Sequence, residues 1–168
     1  DNNGKINSKA DKGAVMNTRI LWTFSAAYSM FQDKKYLDMA DRSYHFIVDN
    51  FVDKDNGGIY WMLDQKGHPL ESKKQIYDEA FAIYSFSEYF KATGNKKALE
   101  LAKNIFRLIE KYSFDPDRNG YFEAYNREWK ILDDLRLSDK DINEKKTTNT
   151  HLHILEAYSR LLTVMHDD

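Results

Sequence analysis

Asp53-Lys54-Asp55-Asn56-Gly57-Gly58 returns, at an offset of 62 residues, as Asp115-Pro116-Asp117-Arg118-Asn119-Gly120. Asp53 meets Asp115, Asp55 meets Asp117 and Gly58 meets Gly120, and the offset holds outward from this turn without a gap. Leu21 meets Ile83, Phe24 meets Phe86, Lys34-Lys35 meets Lys96-Lys97, and Ala40 meets Ala102. Self-similarity at a fixed period marks a repeated supersecondary unit. Apolar spacing identifies that unit as a helical hairpin.

Helices are expected near Val15–Phe31, Lys35–Phe51, Lys74–Thr93, Lys96–Tyr112 and Asn149–Met165. The second and fourth are amphipathic; in the fourth, Leu99, Ala102, Ile105, Phe106 and Ile109 share one face. The first, third and fifth mix small residues with aromatics, as in Phe24-Ser25-Ala26-Ala27-Tyr28, the composition of helices covered on both flanks. Gln32-Asp33-Lys34 and Gly94-Asn95-Lys96 are tight turns. The alternate connections are longer and strand-like at Gly58–Leu63 and Gly120–Ala124. The loop Asn126–Thr148 is long and charged, a length that usually signals function or disorder. A third copy starts near Asn149 and stops after its inner helix.

Stacked hairpins form either an open solenoid or a closed α/α toroid. The small-plus-aromatic inner helices favour an all-α fold, a partial (α/α)6 toroid whose strand-like loops gather at one mouth and line a pocket. Residues 1–168 are expected to form one incomplete domain with a polar leader at 1–12. Two and a half hairpins do not close a ring, so a partner half or exposed apolar edges are expected.

Composition narrows the classes of function. The 168 residues carry 25 basic and 27 acidic side chains, a net charge of −2. Such a balance gives no footprint for nucleic acid, and no basic amphipathic segment suggests membrane binding. No stretch approaches a membrane span. Cysteine is absent, which removes thiolate chemistry and Cys-type zinc sites and fits a cytoplasmic location. Eleven Tyr, 10 Phe and 3 Trp must be buried or must hold a ligand.

The sharpest local signal is Asn149-Thr150-His151-Leu152-His153-Ile154-Leu155-Glu156-Ala157, at the pocket end of the fifth helix. His153 and Glu156 share a helix face, with Asn149 one turn before. His151 and His153 lie roughly 200° apart around a helix of 3.6 residues per turn, so they do not both face the pocket and make a poor metal pair. Asn149 or Thr148 acting as a helix cap is the plainer alternative. Arg19, followed by Trp22, sets a guanidinium near the start of the first inner helix, where it needs an anion or a carboxylate. Tyr77 opens the third helix at the matching level. Tyr60, Trp61, Tyr121 and Phe122 in the strand-like loops suit a sugar-binding rim or simple loop packing. Asp139 and Asp141 precede the fifth helix, where a carboxylate could orient a substrate hydroxyl or an imidazole. His45, His68 and His166 are weaker candidates. No phosphate loop, Ser-His-Asp order or His-x-x-x-His spacing occurs.

Taken together, Met16-Asn17-Thr18-Arg19-Ile20-Leu21-Trp22, Gly57-Gly58-Ile59-Tyr60-Trp61, Lys74-Gln75-Ile76-Tyr77 with Ala80-Phe81-Ala82, Leu137-Ser138-Asp139-Lys140-Asp141 and Asn149-Thr150-His151-Leu152-His153 with Glu156-Ala157-Tyr158 resemble the cellobiose 2-epimerase branch of the N-acylglucosamine 2-epimerase superfamily. The resemblance covers essentially the whole chain and corresponds to roughly the N-terminal half of that barrel. The Asp78-Glu79 pair departs from the Ala-Gln expected there.

The resemblance implies reversible epimerisation at C2 of the reducing-end glucose of a β-1,4-linked disaccharide such as cellobiose or lactose, through ring opening and a cis-enediolate. It implies no cofactor and no metal. It puts Arg19 and His153 in catalytic roles, and Tyr77, Asp141 and Asn149 in substrate binding; Trp22 and Trp61 join these as candidate sugar contacts. It also implies two further histidines and a glutamate from a second half that this sequence lacks, so the stretch alone is expected to be inactive. The rival readings are an N-acylglucosamine 2-epimerase or mannose isomerase acting on a monosaccharide, and a non-catalytic helical-repeat module that binds a glycan or protein.

Overall fold

The computed structural model describes residues 5 and 7–165; His166 and part of the 1–12 leader lie outside them. Three inner helices, α1 (Ala14–Phe31), α3 (Ile76–Thr93) and α5 (Thr148–Met165), alternate with outer helices α2 (Lys34–Phe46) and α4 (Lys96–Tyr112). α3 is sandwiched between α1 and α5, which explains why residues on nearly all its sides are buried. This is the expected partial α/α toroid, an arc of hairpins with the inner helices side by side. α5 leaves Leu152, Leu155 and Leu162 exposed on its open flank.

The tight turns follow from local chemistry. Asp33 caps α2 by accepting the Lys35 N–H, and Asn95 caps α4 by accepting those of Lys97 and Ala98. Gly94 closes α3 in the left-handed conformation with its N–H on the Phe90 carbonyl. Gln32 takes the same conformation after α1. The core runs between layers, where Tyr44 of α2 stacks on Tyr89 of α3 at 4.5 Å.

Two expected boundaries move. The second helix does not run as α-helix to Phe51; Ile47–Phe51 is a π-helical turn, with the Val52 N–H on the Ile47 carbonyl. The extra residue lets both Ile47 and Phe51 point inward and releases Val52 in extended form. The third helix starts at Ile76, because Lys74-Gln75 form strand β4, paired with β5 (Ala124–Tyr125).

The other strands form a small sheet of β1 (Lys12–Gly13), β2 (Met62–Leu63) and β3 (Pro69–Glu71). The end of the expected leader is thus a strand, with Lys12 opposite Leu63. Equivalent bridges Val52–Ile59 and Phe114–Tyr121 close the two repeated turns. All these pieces lie at the ends where inner helices begin.

Candidate active site

α3 and α5 each follow one copy of the repeated turn, and residues at equal distance from the starts of the three inner helices sit at equal height. Arg19, Phe81 and His153 are each the sixth residue of their helices. They meet: the Arg19 guanidinium lies 4.6 Å from the Phe81 ring centre, and the His153 ring lies 4.5 Å from the same ring. Tyr77, one turn nearer the mouth, stands edge-on to His153 at 4.8 Å. The ninth residues form a deeper level, where Trp22 stacks on Tyr84 at 5.3 Å and Glu156 accepts from His153 Nδ1 at 2.7 Å. No carboxylate among the described residues pairs with Arg19, which stays exposed above an aromatic face.

The fourth residues do a different job. The Ile59 N–H donates to Glu79 Oε1 at 2.9 Å, and the Tyr121 N–H donates to His151 Nε2 at 3.0 Å. Each copy therefore ties the backbone after its turn glycine to the next inner helix. The glycines allow this approach: a Cβ on Gly58 would fall 2.4 Å from Glu79 Oε1, and one on Gly120 would fall 2.6 Å from His151 Nε2. His151 also meets the Thr147 carbonyl through Nδ1 at 2.7 Å, so it faces the loop while His153 faces the pocket, as the helix period requires. The cap of α5 is Thr147, whose hydroxyl accepts the Thr150 N–H, rather than Thr148 or Asn149.

Charge pairs anchor the same loops. Lys74 Nζ lies 3.1 Å from Asp53 with both side chains fully buried, and Lys146 repeats the pair with Asp115 at 2.6 Å. Arg127, from the long loop, grips Asp53 through two hydrogen bonds of 2.9 and 3.0 Å and reaches Asp55. Burial alone would raise the Asp53 carboxyl, but Arg127 and Lys74 pull it far below the usual carboxylate range. Burial pushes Glu79 up to about 7, against the pull of Lys74 and the Ile59 N–H. Asp78 is raised well above its ordinary value by burial and then by Glu79, and neither of its oxygens has a protein partner among the described residues.

The other expected residues have local partners. Asp141 is exposed and turns its carboxylate back onto the Ser138 N–H and hydroxyl, both at 2.8 Å, and the carboxylate in contact with the His153 ring is that of Glu156. Asp141 and Asn149 do line one open cavity of about 430 Å³ at the mouth, with Glu123 and Lys146. Asp139 is exposed near Arg136. Of the aromatic rim, Tyr60 is buried beside Arg127 and Lys74, and Tyr121 bonds Glu110 of the outer helix. Phe122 lies under Lys146, and Trp61 under Lys73 at 5.2 Å. Phe122 and Trp61 each cover a lysine, Tyr60 covers the Lys74–Asp53–Arg127 cluster, and Tyr121 packs against the outer helix. Extending the repeat across the long loop to α5 brings Phe81 into register with His153, and Glu79 with His151, pairings that the two-copy offset alone does not show.

No His, Cys, Asp or Glu groups among the described residues converge to hold a metal, and no helix is long and apolar enough to cross a membrane. The family model of N-acylglucosamine 2-epimerase (GlcNAc 2-epimerase) matches residues 1–167. The cellobiose 2-epimerase of Bacteroides fragilis is 52% identical over 159 residues, covering 95% of this chain and 41% of that protein. That of Dictyoglomus turgidum is 40% identical, over 94% of this chain and 40% of its own length. The solved cellobiose 2-epimerase of Bacillus thermoamylovorans superposes with a TM-score of 0.94 at 38% identity, over 100% of this chain and 43% of that one. A D-mannose isomerase shares the fold, with a TM-score of 0.78 at 20% identity. The chain spans about two-fifths of the length of these relatives. With the match running from end to end and the hairpins and mouth loops superposing together, the chain belongs to the N-acylglucosamine 2-epimerase family.

Proposed function

We propose that this chain forms one wall of the active site of a cellobiose 2-epimerase, which inverts C2 of the reducing-end glucose of a β-1,4-linked disaccharide. The observation that carries the reading is the meeting of Arg19, Tyr77 and His153 around Phe81. A module that bound ligands on its outer surface would have no reason to bring these groups to one face.

The C2 proton of a sugar becomes acidic only after the ring opens to the aldehyde. Its removal leaves a cis-enediolate, and a fixed cation lowers the energy of that charge most where water is excluded. Arg19 supplies the cation. Tyr77 gives apolar surface against which a sugar ring packs, and the buried Phe81 backs Arg19 and His153. His153 acts in ring opening or by holding the intermediate, since imidazole exchanges protons near neutrality. Asn149 binds sugar hydroxyls from the mouth cavity, where Asp141 adds a carboxylate oxygen beside its Ser138 contacts, and Trp22 and Trp61, the latter beneath Lys73, are the further sugar contacts. The acid and base that work at C2 come from outside this stretch, so residues 1–168 form one incomplete domain that is inactive alone. The loop after Asn126, pinned by Arg127 and by the Trp129 indole on the Asn56 carbonyl, supports a disaccharide over free mannose or N-acylglucosamine.

The test is incubation of the full-length protein in D2O with cellobiose, lactose, mannose and N-acetylglucosamine. Deuterium at C2 and a mannose-ended product from the disaccharides are expected, with turnover lower by about 100-fold or more in Arg19→Ala. Absence of exchange on every sugar, or full activity without Arg19, refutes the proposal. Exchange on the monosaccharides alone moves the substrate to that rival class.

A further inference from the structure

His153 Nδ1 and Glu156 Oε2 are 2.7 Å apart, one turn apart on α5. A carboxylate only accepts, so in the neutral imidazole the hydrogen sits on Nδ1. Nε2 has no protein partner among the described residues. The ring is held on two sides by Tyr77 and Phe81 and is 20% exposed. An ordinary helix-surface pair has both ends in water and contributes little; here one end is walled in and carries a free lone pair.

The surrounding charges leave Glu156 to this single task. Arg160, the next cation along α5, is taken by Glu88 of α3. Arg19 stands on Phe81 rather than on a carboxylate. The other two residues at this level, Trp22 and Tyr84, stack on each other. Glu156 has no ion pair besides His153 among the described residues.

We propose that Glu156 is a positioning residue: it locks His153 in the Nδ1–H tautomer and thereby presents Nε2 to the sugar as a hydrogen-bond acceptor. This rests on the epimerase reading above. Without Glu156, neutral imidazole reverts to a mixture of tautomers in which Nε2 largely carries the hydrogen and meets a hydroxyl as a donor. The wrong tautomer is costly wherever an imidazole must accept.

The experiment combines ¹⁵N NMR of the imidazoles in the full-length protein with steady-state kinetics on cellobiose for wild type, Glu156→Gln and Glu156→Ala. His153 in wild type is expected to show a protonated Nδ1 and an unprotonated Nε2. In Glu156→Ala the two tautomers mix, and kcat falls about 10- to 100-fold while KM stays within about threefold. Glu156→Gln, whose amide oxygen still accepts, restores part of both signals. Equal tautomer populations in wild type and Glu156→Ala, or an Nε2–H imidazole in wild type, overturn the positioning role. A wild type that exchanges no C2 hydrogen overturns the reaction assignment, and the NMR result stands apart from it.

Discussion

Gly58 and Gly94 both hold positive φ, +71° and +72°, yet they answer to different constraints. Around Gly94 a Cβ meets nothing within 4 Å, whereas at Gly58 it meets Glu79 Oε1 at 2.4 Å and Trp129 at 2.9 Å. Gly94→Ala therefore pays only for backbone conformation, about 1 kcal/mol. Gly58→Ala adds an overlap with a buried carboxylate and an indole, for a total of about 2–4 kcal/mol. Thermal denaturation of the two variants side by side checks the difference; equal losses would show that the Glu79 clamp gives way freely. At this scale the sequence was informative about direction and silent about partners. The 3.6-residue period separated His153 from His151 and put Glu156 on the face of His153, but Asp141 stood beside it as a second carboxylate for the imidazole. Asp141 satisfies a turn of its own, through Ser138, and local hydrogen bonds of that kind compete with any long-range role.

The loops between helices are held by charge as well as by apolar burial, and the charge pairs of the two copies differ in depth. Lys74–Asp53 is wholly buried, while in Lys146–Asp115 the side chains keep 25% and 11% of their exposure. Lys74→Met strands part of a buried carboxylate and should cost about 3 kcal/mol, near the lower end for a broken buried pair because Arg127 remains. Lys146→Met should cost about 1 kcal/mol or less. Urea unfolding of both variants measures the ratio. Helix order and the shared turn were legible because apolar spacing and the Asp-x-Asp…Gly signature survive in both copies. The π-helical turn at Ile47–Phe51 was not, since one added residue leaves the apolar pattern readable as continuous helix. The start of α3 was missed for a related reason: Lys74-Gln75 carry no strand signature, and their pairing with Ala124-Tyr125 is set by the tertiary arrangement.

For the whole molecule, buried carboxylates of opposite kinds set the response to pH. Asp53 has a lowered value, so its contribution to stability is present above the ordinary carboxylate range and is lost as pH falls below about 4. Glu79, raised from 4.5 to about 7, and Asp78, raised further, bind protons more tightly folded than unfolded. The stability they permit is complete below about 4.5 and is lost as pH rises through 7. Melting temperature should therefore peak at about pH 4 and decline as pH rises toward 7. In Asp78→Asn/Glu79→Gln the decline above pH 5 should shrink, leaving the smaller part due to the buried Glu123, each recovered kcal/mol being worth about 2–4 °C in a chain of this size. Calorimetry across that range decides it, and an unchanged slope in the double variant would assign the decline to other groups.

Arg127 belongs to the second copy of the repeat, yet the carboxylate it neutralises, Asp53, belongs to the first. Adjacent hairpins are thus interlocked as well as stacked. Lifting out a single hairpin would leave its neighbour with an anion short of its counter-ion, so recombination that inserts or deletes one repeat at a time, tolerated by open solenoids, meets an electrostatic barrier in this arc.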